Sequence, residues 1–142
     1  MLRIETPGMQ HPNSGVFEFP ISVSDSDIDE LGHVNNIVYL RWVQEAASAH
    51  WAVLSNAGIN EKYVWVVLRH EIDYLQPALL NDTIMAHTWV GKNVGVKSER
   101  HTQLYNTVTG KKLAEAVTTW CLLDAVTMRP RRIEADILSL FE

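Results

Sequence analysis

With 142 residues, 46% of them hydrophobic and 20% charged, the chain has one domain's worth of globular sequence, which excludes disordered and fibrous classes. Folding at this size removes roughly two-thirds of the extended chain's surface from water, so neither a disulfide nor a metal is needed as a staple. A net charge of −5 without a dense basic stripe excludes a nucleic-acid partner, and no apolar run approaches the roughly 20 residues of a membrane span.

In chain order, residues 1 to 15, with Pro7, Gly8, Pro12, Asn13 and Gly15, read as an irregular lead-in. Val16, Glu18, Ile21 and Val23 then alternate as a first strand that Pro20 is expected to interrupt. A polar stretch from Asp27 to Asn36 follows, running directly into a helical pattern. From Ile37 to about Ala57, apolar residues recur at three- and four-residue spacing through Leu40, Val43, Ala46, Ala47, Trp51 and Leu54, and Gly58 stands where a helix stop belongs. Because Ala49, Ala52 and Trp42 add to that apolar surface, the helix is expected to be largely enclosed. Four strands are predicted at about 63–75, 82–90, 94–105 and 112–124, with breaks at Gln76-Pro77, Gly91-Lys92-Asn93 and Asn106 to Gly110. Residues 133 to 142 carry enough apolar positions, Ile133, Ile137, Leu138 and Phe141, for a short terminal helix. The pattern predicts a single α+β domain over residues 1–142, an antiparallel sheet of about five strands folded around one long central helix.

Residues 1 to 82 carry 11 acids against 4 bases, while residues 83 to 142 carry 6 acids against 8 bases. The late bases, Arg100 and Arg131 among them, could meet an anionic ligand such as a phosphate group, or could be ordinary solvated strand edges. The only cysteine, Cys121, lies in the apolar run Val117 to Leu123 and is expected to be a buried small residue in a reducing cytoplasm. The six histidines are scattered without metal-ligand spacing, so no metal is expected. Serine nucleophile elbows, phosphate-cradling loops and dinucleotide fingerprints are all absent.

The chemistry therefore points to Asp27-Ile28-Asp29-Glu30-Leu31-Gly32-His33-Val34-Asn35-Asn36. Carboxylates, an imidazole and two amides precede a helix start, where unpaired backbone N–H groups favour developing negative charge. A base beside an anion site is what attack on a carbonyl requires. The stretch His33-Val34-Asn35-Asn36, followed by Tyr39 and Glu45, resembles acyl-CoA thioesterases of the 4-hydroxybenzoyl-CoA thioesterase type, which have the hotdog fold. The same motif is typical of bacterial long-chain acyl-CoA thioesterases and plant acyl-carrier-protein thioesterases. Ile72 to Ala78, and then Asp82, resemble the family's second strand and the turn after it. Leu31 stands where the plant enzymes carry asparagine, so the network departs from theirs at that point.

The resemblance implies hydrolysis of an acyl-CoA thioester without a cofactor. It also implies a homodimer with sites built from both chains, and allows a dimer of dimers. Asp29 occupies the position of the family's catalytic carboxylate, attacking the thioester or deprotonating a water. The backbone N–H of Asn36 would polarise the thioester oxygen. His33 either acts on the chemistry or contacts substrate and anchors the loop, and Gly32 lets backbone approach the substrate. Asn35 caps the helix or bonds Asp29. Tyr39 and Asp73 are candidate substrate contacts, and Glu45 either helps build the site or pairs with Arg41. The alternatives are an acyl-carrier-protein substrate, or a non-catalytic protein that binds acyl thioesters.

Overall fold

A computed structural model of the chain describes residues 15–142. Apart from Gly15, the irregular lead-in expected over residues 1–15 lies outside the described residues. Strand β1 (Phe17–Ser22) leads through a single 3-10 turn into the polar loop and then helix α1 (Asn36–Leu54). A short helix α2 (Ala57–Lys62) precedes β2 (Tyr63–Tyr74), β3 (Thr83–Val94), β4 (Lys97–Asn106) and β5 (Lys112–Asp124), and the chain closes with α3 (Ala135–Leu138) and a further 3-10 turn. The five strands form one sheet in the order β1-β3-β4-β5-β2, antiparallel at every pairing.

Three local departures from the sequence reading have physical causes. Pro20 does not interrupt β1, because β1 is an edge strand and a proline's missing N–H costs little on an open edge; Pro20 pairs in register with Met85. The long helix ends before Gly58. The Asn56 side chain accepts from the Ile59 N–H and starts a new helix there, while Asn60 ties Trp51 Nε1 and Ser55 Oγ across the break. The break expected at Gly91-Lys92-Asn93 is a β-bulge inside β3, since Val90 pairs with Arg100 but Asn93 pairs with Ser98, leaving one extra residue on β3. Gly91 suits that bend: a Cβ there would lie 2.8 Å from the His101 ring.

The sheet covers one face of α1. Tyr39, Trp42, Val43, Ala46 and Ala47 are buried against it, whereas Ile37 and Val53 are 72% and 68% exposed, so the helix is not enclosed all round as its composition had implied. A five-stranded sheet curls around only part of a helix's circumference, and the small residues on the far side stay open. Two apolar clusters fill the interior. One gathers around Trp42, Tyr39, Ile84 and Leu104 near the start of α1; the other joins Tyr63, Leu122, Ile133 and Ile137 near the C-terminus. A buried polar seam contains Thr88, Thr102, Thr118, Arg100 and His50. No helix among the described residues is long and apolar enough to cross a membrane.

Candidate active site

The loop before α1 is built by backbone bonds around Asp29. Ile28 and Val34 form an isolated antiparallel bridge, the Asp29 N–H donates to the His33 carbonyl at 2.8 Å, and the Gly32 N–H donates to the Asp29 carbonyl at 3.0 Å. Gly32 closes this turn with φ +82°, a region that favours glycine. The Asp29 side chain belongs to the same turn: Oδ1 accepts from the N–H groups of Leu31 at 2.9 Å and His33 at 3.2 Å. Its second oxygen, Oδ2, has no hydrogen-bond partner among the described residues. The carboxylate is thus oriented through one oxygen and free at the other.

Asp27 carries the base of this loop. It is 2% exposed, accepting from the Ser24 N–H and from Arg41 Nη2, both at 2.9 Å. Burial works against its ionised form, but the Ser24 amide and the Arg41 guanidinium outweigh it and hold the carboxyl below its ordinary range. Its carbonyl accepts the Asn35 N–H at 2.9 Å, which sets the entry to the helix.

At that entry Asn35 is the cap, its Oδ1 accepting from the Ile37 N–H at 3.0 Å and its carbonyl from the Val38 N–H at 2.9 Å. The Asn36 N–H, between these two, finds no acceptor among the described residues. It is an unsatisfied donor at the positive end of a 19-residue helix.

Asp29, His33, Asn35, Asn36 and Tyr39 line one cleft of about 380 Å³, closed on its far side by Tyr74 to Pro77. Tyr39 is 2% exposed and its hydroxyl is fully used, donating to the Gln76 carbonyl at 3.1 Å and accepting the Ala78 N–H at 2.8 Å. It therefore pins the 76–78 turn against α1, with Tyr74 edge-on to its ring. His33 joins the loop through its backbone and leaves its imidazole exposed at the rim. Gly32 sits in the adjacent turn, outside the cleft lining.

Two further sequence candidates are not brought to this cleft. Glu45 lies nine residues beyond Asn36, about half a rotation away around a helix of 3.6 residues per turn, and is exposed with Arg41 Nε 3.5 Å from its carboxylate. Arg41 so spans Asp27 and Glu45 at once. Asp73 lies on the opposite face of the sheet beside Glu71, because Ile72 between them packs toward the helix. Sequence reading gave no site role to Tyr74, whose hydroxyl donates to the Asn36 carbonyl at 3.3 Å, or to the Gln76-Pro77 wall, although the resemblance of Ile72 to Ala78 to the family's second strand and turn pointed to that segment. Arg100, one of the late bases read either as a contact for an anionic ligand or as a solvated strand edge, is 6% exposed and faces the interior, so it is no solvated edge residue. Among the described residues, no group of three or more histidine, cysteine or acidic side chains could hold a metal ion.

A curved five-stranded antiparallel sheet laid over one long helix, with a polar loop at the helix start, is the hotdog architecture of thioesterases. The chain belongs to the thioesterase-like superfamily, whose model matches residues 23–141. Protein Rv2001 of Mycobacterium tuberculosis is 26% identical over 134 residues, a match covering 94% of this chain and 52% of the relative, so the chain spans about half that curated relative's length. The acyl-CoA thioester hydrolase YbgC of Escherichia coli O157:H7 is 26% identical over 136 residues, covering 92% of this chain and 98% of YbgC. Among solved structures, a thioesterase of Thermus thermophilus complexed with coenzyme A and Zn superposes with a TM-score of 0.77 at 25% identity, covering 87% of this chain and 90% of that one.

Proposed function

We propose that the chain is a cytoplasmic acyl-CoA thioesterase, hydrolysing an acyl thioester to a free acid and coenzyme A with water as the only co-substrate. The observation that carries this reading is the free Asn36 N–H at the start of α1, lining the same cleft as a carboxylate anchored by one oxygen. The thioester carbonyl oxygen accepts the Asn36 N–H and gains from the helix dipole as negative charge builds on it. Asp29 Oδ2 then has two routes. It removes a proton from a water that adds to the carbonyl carbon, or it adds to that carbon itself and the resulting anhydride is hydrolysed; in both, the C–S bond breaks and the thiolate takes up a proton. His33 offers its exposed ring to the substrate at the cleft rim, and Tyr39 acts by positioning the opposite wall. The names of YbgC and of the Thermus complex support coenzyme A as the thiol carrier.

The working unit in this proposal is a homodimer paired through β2. That strand is a 12-residue open edge containing six consecutive apolar residues, Tyr63 to Leu68. A long apolar edge with unpaired N–H and C=O groups is a template for another strand, whereas the opposite edge, β1, is blunted by Pro20. A twofold axis near the Leu68–Arg69 midpoint would extend the sheet and set Val64 of one chain across from Asp73 of its partner.

The test is thiol release from acyl-CoAs of increasing chain length, aromatic acyl-CoAs and an acyl-carrier-protein substrate, run on wild type and on Asp29→Asn. Asparagine keeps Oδ1 as the acceptor of the Leu31 and His33 N–H groups, so the melting temperature should hold. Loss of the base or nucleophile should lower kcat by at least about 10²-fold. Undiminished turnover in Asp29→Asn would remove Asp29 from the mechanism.

A further inference from the structure

We propose that the half-open pocket between α1 and the sheet receives the acyl group, and that Arg100 in its wall selects acyl groups ending in a carboxylate. This rests on the thioesterase reading above and adds a substrate class to it. The cavity has a volume of about 320 Å³, at the lower end of the range for small-ligand sites. Its apolar lining is largely aromatic, with Trp51 and Phe141 on one side and Trp65 and Trp120 among the strands, beside the uncharged polar groups of Ser48, Asn60 and Ser98. Trp51 and Trp65 meet edge to face, which keeps those walls rigid.

Arg100 is the anomaly in that apolar chamber. It projects from β4 on the same face as Ser98, which also lines the cavity. Both of its hydrogen bonds use Nη1, to His50 Nδ1 at 2.9 Å and to Thr88 Oγ1 at 3.1 Å. No acid among the described residues lies within ion-pair distance of it, and Nε and Nη2 have no acceptor among them. His50 brings no countercharge: burial, and secondly the charge of Arg100, lower its pKa to about 4, so at neutral pH the imidazole is an uncharged acceptor. Burial also lowers the pKa of Arg100 itself, to about 10, which still leaves the guanidinium charged.

Burying a charge with no countercharge is costly, and the cost is recovered when an anion occupies the site. The Nε–Nη2 edge of a guanidinium is a planar fork that matches the two oxygens of a carboxylate. The indole Nε1–H of Trp120, also without a partner among the described residues, belongs to a side chain of the same wall. An aromatic chamber would otherwise suit a cationic group, but a fixed guanidinium repels one. The ligand that satisfies both features is an apolar or aromatic acyl body with an acid at its far end.

The placement fits the proposed dimer. The cavity wall includes Val64 and Trp65 of β2, and the cleft wall includes Tyr74 at the other end of the same strand. Antiparallel pairing of two β2 strands therefore sets the cavity of one chain beside the Asp29 cleft of its partner. A thioester in that cleft can extend its acyl chain toward Arg100.

The experiment compares kcat/KM for six- and eight-carbon ω-carboxyacyl-CoA thioesters with that for their ω-methyl esters, which match them in shape without the charge. Wild type should prefer the acid by at least roughly tenfold, Arg100→Met should abolish or reverse that preference, and Arg100→Lys should retain part of it. A wild-type ratio near one overturns the assignment whether or not either variant folds, and so does an unchanged ratio in Arg100→Met. In parallel, tryptophan fluorescence of the whole protein is titrated with 4-phenylbutyrate and with its amide, reporting on the cavity independently of hydrolysis. If no thioester is cleaved but the acid binds at least roughly tenfold tighter than the amide, and Arg100→Met loses that difference, the cavity assignment stands and the thioesterase reading falls. Cleavage of acyl-CoAs with no discrimination between acid and ester leaves the thioesterase reading in place and removes Arg100 as the selector.

Discussion

His50 shows how one buried side chain couples stability to pH. It stacks on Phe17 with ring centroids 4.9 Å apart and accepts from Arg100, so the fold holds it neutral with a pKa lowered by burial to about 4. In the unfolded chain the same ring titrates near 6.5. Between these values the unfolded state binds a proton that the folded state refuses, so stability is full above about pH 6.5 and falls toward pH 4. The full shift corresponds to a loss on the order of 3 kcal/mol. His70, whose pKa burial also lowers, works in the same direction. Asp27, with its depressed pKa, loses its contribution only below the ordinary carboxylate value near 3.9, outside that window. Urea denaturation at pH 7 and pH 4.5 should therefore show a lower midpoint in acid, and His50→Gln, which cannot gain the proton, should flatten much of the slope. The companion residue Arg100 was not legible as an interior group. Its strand reads Lys97-Ser98-Glu99-Arg100-His101-Thr102, polar on both alternating faces, so a period of two cannot say which face meets the helix.

At the scale of elements, the site depends on how α1 is tied to the turn after β2. Tyr39 supplies that tie with one hydroxyl used as donor and acceptor, and burial raises its pKa so that the hydroxyl keeps its proton. Tyr39→Phe removes both bonds and leaves the N–H of Ala78, a residue 0% exposed, without a partner. An unsatisfied buried donor costs about 1–3 kcal/mol. The variant should therefore melt earlier by that equivalent and show a raised KM, because Gln76 and Pro77 form the cleft's far wall. An unchanged melting temperature would show that the turn is held by other contacts. The long helix and the later strands were legible because their spacings are local, and the polar loop was legible because it is continuous in sequence. The pairing of Tyr39 with Gln76 and Ala78 was not, since no periodicity in either segment encodes a contact between residues so far apart. The early end of α1 was obscured for a related reason: Gly58 has the chemistry of a stop, while the break is made by Asn56 and Asn60 side chains whose bonds exist only once the turn has formed.

For the molecule as a whole, the decisive question is what covers β2. The strand bulges at Leu68, where pairing with β5 skips from Val67 to Arg69, and Leu68 is 52% exposed there. In the proposed dimer this position lies next to the twofold axis, across from Arg69 of the partner, so each substitution acts twice. Leu68→Lys would set an ammonium across from Arg69 of the partner on both sides of the axis, where like charges are destabilising, and would remove two apolar side chains from the contact. The protomer should remain folded, because Leu68 belongs to neither buried cluster. Sedimentation velocity should then find wild type as a dimer and Leu68→Lys shifted to monomer, with specific activity falling on dilution as mass action requires. If each site draws on both chains, the monomeric fraction should lose turnover even though its Asp29 loop is intact. A Leu68→Lys protein that stays dimeric and fully active at nanomolar concentration would place the interface elsewhere and remove the partner chain's β2 from the site.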